Sequence, residues 1–132
     1  MRKIALKWLK QAEADLQAAL DSLKNKHHEW ACFQAQQSGE KALKAYLYDK
    51  GYTSIMTHSL KELVRECARL DAIFNQLARE ARKLDMFYIP TRYPNSLSGD
   101  FAPAEFYEEE DARACISSAE SILQTVKSLL KQ

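Results

Sequence analysis

Two stretches of the chain carry residue types that do chemistry. One is Tyr88-Ile89-Pro90-Thr91-Arg92-Tyr93-Pro94-Asn95. Prolines on either side of Thr-Arg-Tyr fix local backbone angles and predict an extended segment. That gives Arg92 a preset direction, and its planar fork suits a phosphate or a carboxylate. Asn95 and Asp100 offer groups for a base edge, a ribose hydroxyl or the local backbone. A plainer arrangement is equally open: Arg92 pairs with an acid of the last helix while Tyr93 plugs the core.

The other stretch is Glu29–Lys50. At 100° per residue, Ala31, Ala35, Ala42 and Tyr46 share one side and can face a core. The other side carries Trp30, Phe33 and Tyr48 with Gln34, Gln37, Lys41 and Lys44. Aromatics supply contact area and stacking, and lysines supply charge for phosphate. The surface suits a partner helix, a second copy of the chain or a nucleotide. The alternative is a central helix covered on both sides, its lysines reaching out to solvent.

Other chemistry is sparse. His27 and His28 are adjacent, so on a helix they point apart and cannot chelate together. His58 precedes a serine cap and reads first as part of a helix start. No nucleophile elbow, phosphate-binding glycine loop or HExxH pattern occurs, and no cofactor motif or metal-ligand spacing is visible. Cys32, Cys67 and Cys115 are odd in number and far apart, which predicts buried, reduced thiols. Lys3, Lys7 and Lys10, and Arg79, Arg82 and Lys83, form short basic patches that can touch RNA phosphates, as can any solvated helix face. The net charge of +1 gives no global drive toward nucleic acid.

The elements that must position these groups are helices. Ile4, Trp8, Ala12, Leu16, Ala19 and Leu23 mark one face of a helix from Lys3 to Lys24. The second helix ends at Gly51, a left-handed cap. Ser59-Leu60-Lys61-Glu62 has the capping-box form and opens a third, with Leu60, Leu63, Val64 and Cys67 inside. Asp71 caps a fourth carrying Phe74, Leu77, Ala81 and Leu84. The last runs from Glu109 to Leu130, on Ala112, Ile116, Ala119, Leu123, Val126 and Leu130, with Glu108–Asp111 at its positive end. No strand pattern competes.

The expected fold is therefore all-α: an antiparallel up-and-down bundle of four main helices plus a shorter one, in a single domain over residues 1–132. A long connection, Phe87 to Tyr107, precedes the last helix. It holds all three prolines and six aromatics, so it reads as an ordered loop lying across the bundle. No stretch approaches the ~20 apolar residues of a membrane span, and no export signal is visible, so a cytoplasmic protein is expected.

The second-helix run Trp30 to Leu47, Thr57-His58-Ser59-Leu60, the Tyr88–Asn95 segment, and Tyr107 followed by acids and Asp111-Ala112 together resemble the prokaryotic HEPN domain family. The resemblance spans nearly the whole chain in order. It implies a five-helix bundle that commonly dimerises, often beside a minimal nucleotidyltransferase subunit, in a setting like that of toxin–antitoxin pairs. Some relatives cut RNA and some bind nucleotides. RNA-cutting members carry an arginine with a histidine four to six residues downstream, and no arginine here has one. Arg92 is followed instead by Leu97 and Ser98. The reading is a nucleotide-binding and assembly module rather than a self-sufficient enzyme, with a metal-independent ribonuclease toxin as the alternative. Gln37, Lys41, Lys44, His58, Arg92, Tyr93 and Asn95 are the ligand or interface candidates, and Trp30, Phe33 and Tyr48 the dimer or partner surface. Arg92 is expected to fold down beside the second helix, in a site without an imidazole.

Overall fold

A computed structural model describes residues 1–89 and 91–130. Among these the chain forms six α-helices: α1 (Lys3–Lys24), α2 (His28–Asp49), α3 (Leu60–Leu70), α4 (Ala78–Asp85), α5 (Pro103–Phe106) and α6 (Glu109–Leu129). Short 3-10 turns cover Ala72–Leu77 and Pro94–Ser96. No strand occurs among the described residues. The all-α bundle expected from periodicity is present, with one addition. The long connection contains the short helix α5, begun by Pro103 at a first-turn position where its missing N–H costs nothing.

α2 is the central helix. α1 packs along it, and α6, α3 and α4 cover the rest. Small residues make the close approach possible. Ala5, Ala12 and Ala19 recur every seven residues on α1 and are fully buried, the spacing that keeps one seam against a neighbouring helix. Ser38 of α2 donates its hydroxyl to the Ala12 carbonyl at 2.7 Å, so this buried hydroxyl of the seam is satisfied. Gly39 marks where α2 meets three partners. A Cβ there would stand 2.9 Å from Leu60, 3.2 Å from Leu84 and 3.4 Å from Ile122.

The inner faces of the later helices match the sequence pattern: Leu60, Leu63, Val64, Cys67, Phe74, Leu77, Ala81 and Leu84 are buried, as is the whole α6 stripe. The first helix packs most of its expected face inward: Ala12 and Ala19 are fully buried, and Trp8, Leu16 and Leu23 are half-buried against the core. Ile4 is 42% exposed, while Ala5 and Leu9 turn inward. Ala5 lies outside the expected face, and with Ala12 and Ala19 its small side chain lets α2 come close. Cys32, Cys67 and Cys115 are free and buried.

The helix ends are closed by local chemistry. After α2, Gly51 adopts φ +100°. Its N–H donates to Tyr48 and that of Tyr52 to Leu47, both at 3.1 Å, the paired bonds of a glycine-capped terminus. At α3 only half of the expected capping box forms. Ser59 accepts from the Glu62 N–H at 3.3 Å, but the Glu62 carboxylate takes the Thr57 hydroxyl instead. The remaining N–H groups of α3 are met from across the chain. Asp85, ending α4, accepts from Leu60 N at 2.7 Å and Lys61 N at 3.0 Å. Asp71 caps the 3-10 turn ahead of α4 rather than α4 itself, accepting from Ile73 N at 3.1 Å.

Candidate functional site

The connection between α4 and α6 is anchored at both ends. The Phe87 and Tyr107 rings pack 5.6 Å apart. Thr91 is buried and donates its hydroxyl to the Phe87 carbonyl at 2.6 Å. The segment is a turn rather than the extended run expected: the Ile89 carbonyl accepts from Arg92 N at 3.0 Å and Tyr93 N at 3.3 Å. Pre-proline crowding constrains Tyr93, which is extended, but leaves Thr91 and Arg92 free to turn. The expected bracing by Pro90 lies outside the described residues.

This turn drops Arg92 onto α2. Its guanidinium carbon lies 4.6 Å from the Phe33 ring centre, 4.7 Å from Tyr88 and 5.0 Å from Tyr93. Nε donates to the Tyr88 carbonyl at 3.1 Å. Three ring contacts and one backbone bond hold the fork, and it makes no ion pair among the described residues. Each ring contact contributes about 0.5–1 kcal/mol where exposed, more where dry. The terminal amino groups keep their donors for an incoming acceptor. Tyr93 does not plug the core. It is 52% exposed, as the outer wall of the cradle. Asn95 and Asp100 lie exposed beyond it.

Tyr88 has a second neighbour, which corrects the expectation of a site without an imidazole. The His58 ring stacks on it at 5.6 Å and 17°. His58 Nδ1 lies 3.1 Å from Glu40 Oε2. Glu40 is buried on α2 and also accepts from Lys44 Nζ at 2.9 Å and Gln36 Nε2 at 3.4 Å. Gln36 in turn donates to the His58 carbonyl at 3.4 Å. The imidazole is thus fixed from its Nδ1 side, which leaves Nε2 as the ring nitrogen without a partner among the described residues. His58, Ser59, Asp85 and Tyr88 line a shallow cleft of 250 Å³. Downstream spacing from Arg92 could not reveal this histidine, because it arrives from the loop before α3.

The other expected residues of α2 are engaged within the fold. Lys41 pairs with Asp15 of α1 at 2.5 Å. Lys44 is buried, held by Glu40 and lying 5.7 Å from the Trp8 ring. Gln37 donates to Gln36 at 2.8 Å. Tyr48 packs on Trp8 at 5.3 Å. Trp30 is 47% exposed and meets Phe33 edge-on at 6.1 Å. Glu40, Gln36 and Tyr88 were missed as site residues. The signal available was Gln36, Glu40 and Lys44 at four-residue steps, a polar line on an otherwise alanine-rich helix.

Among the described residues no three His, Cys, Asp or Glu side chains gather to hold a metal ion, and no helix is long and apolar enough to cross a membrane.

The chain belongs to the HEPN domain family, whose model matches residues 5–129. It is 30% identical to "Putative toxin MJ1304" of Methanocaldococcus jannaschii, over 98% of this chain and 90% of that one. Among solved structures it is similar to TT1696 from Thermus thermophilus, with TM-score 0.91 and 33% identity over 98% of this chain and all of that one. It is also similar to ST0689, an archaeal HEPN homologue, with TM-score 0.79 and 37% identity over 99% and 100% of the two chains.

Proposed function

We propose that this HEPN domain is a nucleotide-binding and assembly module, with the Arg92 cradle as its ligand site. The observation that carries the reading is the guanidinium held among Phe33, Tyr88 and Tyr93, with no acid paired to it among the described residues. A fork fixed before binding loses little freedom on meeting a phosphate, and exposed rings beside it offer a face for a base. Trp30, Ile89, Tyr93, Phe101 and Phe106 are each about half exposed, apolar area suited to a second copy of the chain or a nucleotidyltransferase-like subunit. The toxin name of the archaeal relative supports a toxin–antitoxin setting.

Calorimetric titration with ATP and GTP tests the ligand. Wild type binds, and Arg92→Lys loses about tenfold in affinity, near 1.4 kcal/mol, because an ammonium keeps the charge but not the stacked fork. Absence of heat with folded wild type, alone and with the partner subunit, refutes it.

One observation favours a second reading, a metal-independent ribonuclease. His58 presents Nε2 from a carboxylate-anchored ring, on the same tyrosine that Arg92 contacts. It would take the proton of a ribose 2′-hydroxyl as that oxygen bonds phosphorus. The 5′-oxygen leaves and is protonated by water, and Arg92 holds the phosphoryl charge. RNA cleavage that falls in both His58→Ala and Arg92→Ala supports it. Equal background in all three proteins ends it.

A further inference from the structure

A second cationic feature lies between α3 and α4, sharing no residue with the cradle. Lys61, Arg65 and Arg69 line one wall of a groove of 460 Å³, and Arg82 stands on the other. Val64 and Ala68 form part of its floor. The three α3 cations are four residues apart, so they follow one another at steps of about 6 Å along the helix. No acidic side chain lines the groove.

Three nearby acids are occupied elsewhere. Asp85 accepts from Ser59, Leu60 and Lys61 at the start of α3. Glu62 takes the Thr57 hydroxyl and Glu66 the Tyr52 hydroxyl. Among the described residues Lys61, Arg65 and Arg82 make no ion pair. Arg69 reaches Glu66 at 3.3 Å, but with its side chain 72% exposed, a weak, solvent-screened pair that a stronger anion displaces. Four like charges converging on one groove cost self-repulsion, which an anionic occupant relieves.

We propose that this groove binds a chain of linked phosphates. Its volume falls in the range of small-ligand sites, roughly 300–1,000 Å³. No aromatic ring lines it, so it offers no platform for stacking the bases of a single strand. Both walls are helical, with backbone groups already paired within the helices, so an acidic peptide finds no strand edge to extend. What remains is a row of cations matched to a compact, densely charged ligand. Inorganic polyphosphate and the triphosphate tail of a nucleotide share that chemistry.

The test uses the full chain carrying Arg92→Lys, which weakens the cradle without touching the groove. Inorganic triphosphate is titrated calorimetrically at low and high salt. Binding is expected, weakening with salt, and Arg65→Gln with Arg82→Gln should lower affinity by at least about tenfold. Both side chains are exposed, and circular dichroism checks that the helices persist. ATP binding as tightly as triphosphate assigns the nucleotide tail; triphosphate and longer polyphosphate binding more tightly than ATP assign the inorganic source. No triphosphate binding, binding indifferent to the double substitution, or capture of only duplex RNA or a polyglutamate peptide overturns the proposal. None of those failures bears on the cradle, whose arginine is absent from this protein.

Discussion

Replacing Glu40 by glutamine isolates the most consequential polar contact in the bundle. The Glu40 and Lys44 side chains are each only 5% exposed and meet at 2.9 Å, one helical turn apart. Glutamine keeps the shape and some hydrogen bonds but removes the charge, stranding the Lys44 ammonium in the interior. Stranding one member of a buried pair costs about 3–5 kcal/mol, against a total of about 5–15 kcal/mol for a domain of this kind. The Lys44 ammonium keeps some compensation from the Trp8 ring at 5.7 Å, so Glu40→Gln is expected near the lower figure, about 3 kcal/mol. Removing both charges should cost far less, because the desolvation of two ions is relieved with the pair. Glu40→Leu with Lys44→Met, both good helix formers, is expected within about 1 kcal/mol of wild type. Urea unfolding at neutral pH reads all of this, provided the slope with denaturant is unchanged. A Glu40→Gln loss below about 0.5 kcal/mol, or a double variant worse than the single, refutes the reasoning.

Other consequences are more local. Gly39→Ala forces its Cβ to within 2.9 Å of Leu60 and 3.2 Å of Leu84, and should cost about 1–3 kcal/mol in the same unfolding assay. Burial pushes the Tyr107 hydroxyl up to about 12. Its neutral form is the one the fold favours, so its stabilising share is intact below pH ~10, the unfolded value, and is lost as pH rises toward 12. Alkaline difference spectroscopy of wild type against Tyr107→Phe should show one tyrosine titrating late, and stability falling more steeply over that window in wild type. Burial also raises the Cys67 thiol, while Cys32 is raised by its hydrogen bond with Cys115 and by burial. Native protein should therefore resist thiol reagents, and unfolding should release all three thiols.

Most of the fold was legible because each helix carries its own period and caps. Ser59, Asp71, Gly51 and the acids before α6 act within a few residues of their position, which is the range local patterns cover. The inward place of Ala5 was not legible, since alanine carries little hydrophobic signal and its role is to let α2 approach. The site divides the same way. Two prolines and a cluster of rings singled out Arg92, and the aromatic face of α2 named Phe33 as a partner surface. The turn at Thr91 depends on one hydroxyl reaching Phe87, and the sequence pattern favoured the prolines instead. The Glu40–His58 contact joins residues 18 apart and the Asp85 cap joins residues 25 apart. Both exist only once α2, α3 and α4 have packed.

The measurement closest to the central claim is the ¹⁵N–¹H signal of the Arg92 Nε–H, assigned by its disappearance in Arg92→Lys. With Nε bonded to the Tyr88 carbonyl and the fork stacked among rings, the signal should be sharp and ring-shifted in the free protein. It should then move on addition of ATP to a limit unaltered by Arg65→Gln with Arg82→Gln. An Arg92 signal broadened by exchange with water before ligand, or one unmoved by saturating nucleotide, contradicts the account.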